Sequence, residues 1–389
     1  MKILYMDWKS YCTEDMIPAF EKEGCQVVRV PFTRELGWKG EEYAEMLRSL
    51  IRVDQPDFVY SFNFFPLVSN VCESEKCRYV SWVYDSPQVA LCNDAAKNKH
   101  NLIFLFDEEQ TLYFREKGLK NVRYLPMAAA TERMQKVIAD LGRDERYSSE
   151  IAFVGSLYTE KKHRLFDRLE GVNSYTEGYL DALIEAQKQV YGVNFIEESL
   201  TDKVLDEMMR VFPMVPHDDG SETISWLYAE YVINRHITAI EREEALTALS
   251  ERHQVKLYTN DASWKSGKIE NCGPIDYYDA APAVFASSDI NLNITLRSIK
   301  SGIPLRAFDI LGAGGFLMTS FTADFTKYFV PDEDFVFYGS LRELIEKADY
   351  YLAHDDERRR IAENGYSKIC RDHTYGHRVN EILSCINLM

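Results

Sequence analysis

Short apolar runs recur along the chain and alternate with segments whose apolar positions fall three and four residues apart. "KILYM" (2–6), "CQVVRVPF" (25–32), "DFVYSF" (57–62), "RYVSWVYD" (78–85), "NLIFLF" (101–106) and "NVRYLPM" (121–127) predict strands, with helices around 14–23 and 40–52 between the first of them. A second series opens at "EIAFVGS" (150–156). It continues through "QVKLYTN" (254–260), "DINLNIT" (289–295), "GFLMTS" (315–320) and "DFVFYGS" (334–340). Strands alternating with helices predict an α/β fold with parallel sheets covered on both faces. In such sheets ligands gather beyond the carboxyl ends of the strands.

The two series predict two domains, 1–148 and 149–376. The polar stretch "TERMQKVIADLGRDERYSSE" between them reads as an exposed connection. The last helix, 377–388, is expected to return to the first domain. Between the first two strands of the second series lies far more chain than one crossover needs. Residues about 170–250 show three- and four-residue apolar spacing, which predicts a helical insertion. Such an insertion suits a lid, an acceptor-recognition element or a homodimer interface.

Charge narrows the partners. The 389 residues carry 45 Lys+Arg against 62 Asp+Glu, a net charge of −17. A surface of that sign repels phosphate backbones and anionic lipid, so neither nucleic acid nor a membrane surface is expected as the main partner. The eight cysteines include no C-x-x-C pair. No window approaches the roughly 18 apolar residues that span a bilayer. "MKILYMDW" at the amino terminus lacks the run of a signal peptide, so a reduced, cytoplasmic, soluble protein is expected.

Residues 297–320, "RSIKSGIPLRAFDILGAGGFLMTS", carry the densest chemistry. Gly302 lets a ligand approach the backbone, and Pro304 suits a first helical turn. A helix starting there directs unpaired N–H groups outward, a ready phosphate site at Ile303–Leu305. Arg297 and Lys300 lie just upstream, and Arg306 and Asp309 share one helix face. The alternative is a plain crossover helix with a surface Arg–Asp pair and a glycine C-cap. A second candidate, "FVGSLYTEKKHR" (153–164), places Gly155 and Ser156 after a strand, with Lys161, Lys162, His163 and Arg164 expected to begin a helix. In the first domain Asp7, Asn63 and Asp85 end three strands. Asp85 beside Trp82 and Tyr84 is a candidate base if desolvation raises its pKa, or else an Asp bonding its own turn. Trp82, Tyr84, Phe64 and Phe65 suit either sugar stacking or the core. Neither Asp332-x-Asp334 nor His373 with His377 has the company a metal site needs, and no metal is expected.

Three stretches, "EIAFVGSLYTEKKHRLFDRL", "DINLNITLRSIKSGIPLRAFDILGAGGFLMTS" and "DERRRIAENGYSKICRDHTYGHRVNEIL", resemble the spore-maturation (CgeB-type) branch of GT-B glycosyltransferases. "FVYSFN", "VSWVYDSP" and "VRYLPMAA" resemble the amino-terminal domain often paired with it. The resemblance implies two facing Rossmann-like domains, with a nucleotide-sugar bound mostly by the second and an acceptor by the first. Gly155 and Lys161 match the glycine and lysine of the wider retaining group. Ser156 stands where arginine is common, so the diphosphate is expected to lean on Arg297 or Arg306. The group's paired glutamates fall at Ser301 and Asp309. Asp309 is expected to accept from ribose hydroxyls, while Ser301 leaves the stereochemistry open.

The resemblance thus implies hexosyl or N-acetylhexosaminyl transfer from a nucleotide-sugar, with a UDP-sugar expected, to a protein, glycan or small-molecule acceptor. No cofactor or metal is expected. Donor residues are Gly155, Ser156, Lys161, Arg297, Gly302, Ile303, Pro304, Leu305, Arg306 and Asp309. Asp85 is the expected base, with Asp7, Asn63, Trp82 and Tyr84 on the acceptor side. A non-catalytic nucleotide-sugar or glycan binding module is the rival reading. A dinucleotide oxidoreductase would require a GxGxxG fingerprint that neither opening strand precedes.

Overall fold

The computed structural model describes residues 1–36, 40–142 and 145–388. The chain forms two compact units, one of Met1–Ala128, His217–Glu222 and His373–Met389, the other of Ala129–Pro216 and Thr223–Asp372.

In the first unit β1 (Lys2–Asp7), α1 (Thr13–Lys22), β2 (Gln26–Pro31), α2 (Glu41–Asp54), β3 (Phe58–Phe62) and α3 (Pro66–Ser74) follow in order. They lead to β4 (Tyr79–Val83), β5 (Asn101–Leu105), α4 (Glu108–Glu116) and β6 (Val122–Tyr124). The strands pair in parallel in the order β2-β1-β3-β4-β5-β6. β3, β4 and β5 are buried at every position, which explains why they read as continuous apolar runs rather than alternating ones. Their N–H and C=O groups are satisfied within the sheet, so the run can be buried on both faces.

The second unit begins with α5 (Thr131–Leu141), so residues 129–148 belong to it rather than to the first domain. The expected exposed connection is in part a helix, because Thr131 and Met134 give it a buried face; residues 143 and 144 lie outside the described residues. After β7 (Ile151–Val154) come α6 (Ser174–Lys188), α7 (Ile196–Ser199), α8 (Asp202–Val211), α9 (Ile224–Leu227) and α10 (Asn234–Ser250). Next are β8 (Val255–Tyr258), β9 (Glu270–Gly273), α11 (Ala281–Ser287), β10 (Ile290–Asn293) and α12 (Leu305–Gly312). β11 (Leu317–Ser320), α13 (Phe325–Tyr328), β12 (Val336–Tyr338), α14 (Leu341–Ala353) and α15 (Asp355–Asp372) complete the unit. α16 (Tyr375–Asn387) belongs to the first unit, where it packs on α1 and Arg78 donates to the Ile386 carbonyl at 2.9 Å. His373 and His377 are tied up in the approach to α16, His373 by Arg378 and His377 by the cap at Thr374.

The second sheet is also parallel, in the order β12-β11-β10-β7-β8-β9. The chain runs outward from β7 through β8 to β9, then returns to the other side of β7 at β10. That reversal makes the β7/β10 boundary the topological switch point of the unit. The insertion has its own core, with Leu180, Ile184, Val204, Met208, Tyr228 and Ile237 all buried together. Residues 217–222, within the insertion's sequence, belong to the first unit, where Ser221 N–H donates to the Cys92 carbonyl at 2.9 Å.

Candidate donor and acceptor sites

Two loops meet at the switch point of the second sheet. One leaves β7 at Gly155–Ser156, and the other leaves β10 at Ile294 and runs to Pro304. Gly155 donates its N–H to the Tyr258 carbonyl at 3.0 Å, holding the strand end in register. A Cβ on Gly155 would meet only the Phe153 ring, at 3.4 Å, so the fold itself does not require glycine there. The Ser156 hydroxyl donates to the Glu160 carboxylate at 3.1 Å and accepts from Tyr158 N–H at 3.0 Å, which closes the turn locally. Residues 161–163 form a turn and Phe166–Leu169 a 3₁₀ segment, so the basic run does not begin an α-helix. The locally bonded Ser156–Glu160 turn takes the chain away from helical continuation, and it leaves Lys161 exposed.

In the second loop Ser301, Gly302 and Ile303 are buried, and the chain reaches partial exposure at Pro304. Pro304 is the residue before the helix, with φ −66° and ψ 150°, and α12 starts at Leu305, one position later than expected. As at any helix start, the first N–H groups have no partner within the helix. The exit from α12 answers to packing. Gly314 has φ +79°, and a Cβ on Gly315 would lie 2.5 Å from the Phe285 carbonyl and 2.7 Å from Asn291 Nδ2.

The charged residues of this stretch are paired. Arg297 donates through Nε to Glu241 Oε2 at 2.9 Å and through Nη2 to the other oxygen, and its Nη1 donates to the Val190 carbonyl at 2.7 Å. It is 8% exposed, with Glu241 at 7%. Arg297 is therefore a buried bidentate pair on α10, not the free cation expected at a diphosphate. Lys300 Nζ lies 2.7 Å from Glu230 Oε1, in a π-helical turn between α9 and α10. Burial pushes the Glu230 carboxyl's pKa up, with the Lys300 ammonium pulling the other way. Arg306 donates to Asp309 Oδ2 at 3.0 Å, and the Tyr277 hydroxyl donates to Asp309 Oδ1 at 2.9 Å. Asp309 is 1% exposed. Its carboxylate thus meets side-chain donors at both oxygens instead of facing solvent, because it sits on the core side of α12 with Ala307, Phe308 and Ile310.

In the first unit Asp7, Asn63 and Asp85 stand at or just past the carboxyl ends of the adjacent strands β1, β3 and β4. Asn63 is buried at φ 60°; its Nδ2 donates to Asp85 Oδ2 at 2.9 Å and its Oδ1 accepts from the N–H groups of Tyr84 and Asp85. Arg34 lies 3.1 Å from Asp85 Oδ2, and the Asp85 side chain is 34% exposed. The desolvation expected of Asp85 is therefore partial. Asp7 accepts from Lys9 N–H at 2.9 Å and pairs with Arg29 at 3.0 Å. Trp82 is fully buried, donates to the Leu125 carbonyl at 3.2 Å and packs against Phe62. It is core, not a sugar platform, because its ring is fully buried and packs against Phe62 and Tyr375. Phe64 and Phe65 are buried likewise. Tyr84 is stacked on Trp8, with ring centroids 6.1 Å apart, and Arg34 covers the other ring system at 4.1 Å.

Sequence reasoning missed Glu241 and Arg242. The signal was present: on α10 Glu241 and Arg242 are buried along with Ile237, Thr238, Ala245, Leu246 and Leu249, so both charges stand in the apolar stripe. Among the described residues no cluster of three or more His, Cys, Asp or Glu side chains is arranged to hold a metal ion, and no helix is long and apolar enough to cross a membrane.

Residues 238–384 match the family model described as "Glycosyl transferase-like". Sucrose-phosphate synthase from Thermosynechococcus elongatus is similar over 100% of this chain and 98% of its own, with a TM-score of 0.57 and 10% identity. Anabaena HepE in complex with UDP-glucose is similar over 100% of both chains, with a TM-score of 0.54 and 9% identity. α,α-Trehalose 6-phosphate synthase from Burkholderia multivorans is similar over 100% of this chain and 98% of its own, with a TM-score of 0.52 and 11% identity. At these identities the likeness is one of fold, and the fold is GT-B. No curated protein matches the chain by sequence.

Proposed function

We propose that the protein is a glycosyltransferase that moves a hexosyl or N-acetylhexosaminyl group from a UDP-sugar to an acceptor. The observation that carries this reading is the meeting of two loops, one with Gly155 and the other with Gly302, at the β7/β10 switch point, where the second leads into the start of α12. Supporting it, the glycosyltransferase-like match spans all of the second loop, and a structure of the same fold binds UDP-glucose. The ordered motifs are those that resemble the CgeB-type branch.

The chemical problem is departure of a nucleoside diphosphate. In our reading the first N–H groups of α12 and the exposed Lys161 meet the developing charge, so that no metal is required. Gly155 and Gly302 let the diphosphate approach the backbone. Asp309 would accept from the ribose once Arg306 or Tyr277 yields one oxygen. On the first unit Asp85 would take the acceptor proton, oriented by Asn63, with Asp7 and Tyr84 lining the acceptor side. The helical insertion would set acceptor choice or self-association.

Nucleoside-diphosphate release from a panel of UDP-, GDP- and dTDP-sugars, with and without EDTA, tests this. Release from one donor, insensitive to EDTA and lost in Asp309→Ala, is the expected result. If no nucleotide-sugar binds or turns over, the donor-site reading is wrong. One observation favours a second reading, binding without turnover: Ser301, where the retaining group carries a glutamate, is buried and its carbonyl accepts from Asp324 N–H at 2.9 Å. Donor affinity without release of nucleotide would select it.

A further inference from the structure

The cations of the second loop are each matched by a carboxylate: Arg297 by Glu241, Lys300 by Glu230 and Arg306 by Asp309. Arg242 differs. It is 8% exposed, and it is held by main-chain carbonyls and by the Tyr158 side chain, with no carboxylate bonded to it as directly as those of the other three cations. Its Nε and Nη2 donate to the Ile294 carbonyl at 3.2 and 2.6 Å, and its Nη1 donates to the Ser156 carbonyl. Ile294 is the first residue past β10, and Ser156 is the second past β7. One guanidinium thus ties together the two loops that flank the switch point. Its other contacts are the rings of Tyr158 and Phe153, at 4.8 and 5.4 Å.

Charge bookkeeping makes this more than a brace. Glu241 precedes Arg242 in the chain, but both of its oxygens bond Arg297. Two buried guanidinium groups therefore share one carboxylate, and one positive charge is left over behind the loops. Burial pulls the Arg242 pKa down from its usual value, as expected where carbonyl dipoles take the place of a counterion. A guanidinium nevertheless stays protonated. A buried charge whose nearby carboxylate is bonded to another cation is costly, and a fold with no use for it would be served by an apolar residue of similar volume.

We propose that Arg242 is a positioning residue of the donor site, which fixes the two loops and gives them the buried positive charge that selects a nucleoside diphosphate over the bare nucleoside. The inference rests on the donor-site reading above and adds to it the source of diphosphate selectivity. Arg242 does so from behind the loops, through the polarised carbonyls of Ser156 and Ile294.

The test is titration of the full-length protein with UDP and with uridine, in wild type, Arg242→Gln and Arg242→Lys. Arg242→Gln is expected to weaken UDP by about tenfold, the size of one unit-charge interaction across a partly buried site, and to leave uridine affinity unchanged. Equal losses for UDP and uridine, or UDP affinity equal to wild type, would overturn the proposal. Arg242→Lys supplies an arm that does not depend on the glutamine variant folding. A buried lysine without a counterion has a lowered pKa, so its UDP affinity relative to wild type should fall as pH is raised from about 7 to 9. A ratio to wild type that stays constant with pH overturns the charge argument. If wild type binds none of UDP, GDP or dTDP, the donor-site reading falls first and this inference with it. If wild type binds and the variants fail the comparison, the inference alone falls.

Discussion

Removing the Glu241 carboxylate is a sharp test of how the loop between β10 and α12 is held. Glu241 takes two bonds from Arg297, and both side chains are nearly inaccessible. In Glu241→Ala the guanidinium keeps the Val190 carbonyl at 2.7 Å and the face of Tyr191 at 4.2 Å, but no counterion. Removing one partner of a buried ion pair leaves the other charge uncompensated, which puts the loss near ~3–5 kcal/mol. For a unit of this size that is a fall in Tm on the order of 10 °C. Urea unfolding followed by circular dichroism gives the free energy. The double variant Glu241→Leu with Arg297→Met removes both charges and should recover most of the loss, to within about 1 kcal/mol of wild type.

The same pair of variants separates packing from ligand contact. If Arg297 belongs to Glu241, as the geometry has it, the double variant keeps wild-type UDP affinity. A Glu241→Ala cost below about 1 kcal/mol would refute the stability argument, since surface pairs already reach that value. A double variant that folds normally but binds UDP about tenfold more weakly would show instead that Arg297 leaves Glu241 when the donor arrives.

Gly315→Ala should cost about 1–3 kcal/mol in urea unfolding, because its Cβ meets the Phe285 carbonyl at 2.5 Å, whereas Gly155→Ala should stay within about 0.5 kcal/mol yet weaken UDP binding. Equal stability losses at the two sites would contradict this division of roles. Glu230 has a folded pKa raised by burial, so the folded state holds its proton more tightly and wild-type stability falls as pH rises from the ordinary carboxylate range through the folded value. Glu230→Gln removes that titration and should gain on wild type in Tm as pH rises across the same window; parallel Tm curves would refute it. Asp85→Asn keeps a partner for Arg34 but cannot accept a proton, and should slow transfer by about 100-fold or more at unchanged UDP affinity. Transfer at the wild-type rate would remove Asp85 as the base.

Strands with buried runs were legible because burial on both faces writes itself into composition. β9, "ENCG", was not, since an edge strand with exposed and half-buried positions carries no such run. The helical insertion was plain in its spacing, while the six-residue span 217–222 that joins the first unit has no local signal, because its pairing with Cys92–Asp94 is set by distant chain. At the candidate site, the placement of Gly155 just after β7 and of 302–304 just before α12 was legible from the transition between strand and helix. The partners that occupy Arg297 and Asp309 were not legible, for one reason. A charged side chain reads as available until the residue opposite it is known, and Glu241 and Tyr277 are 56 and 32 positions away.

That pairing bears on how, in the proposed function, an acidic chain would hold an anionic donor. A net charge of −17 opposes a diphosphate at long range, so attraction must come from groups close to it and protected from screening. An exposed lysine such as Lys161 can meet the diphosphate once it is bound, but adds little attraction through water before that. Paired cations such as Arg297 and Arg306 present little net charge. Two sources are left: oriented N–H groups at the start of α12, whose polarity is fixed by the fold, and a buried guanidinium whose countercharge is committed elsewhere. Both act at short range, and neither needs a side chain to reorganise when the donor binds, which is the condition under which electrostatic stabilisation of a leaving group is most effective. The π-helical turn at Tyr228–Ile233 and the start of α10 place Glu230, Thr238, Glu241 and Arg242 behind the donor loops, and Thr238 accepts from Arg297 N–H at 3.0 Å. The insertion therefore does more than extend the fold: its last helix organises the charges and the backbone behind the loops of the proposed donor site.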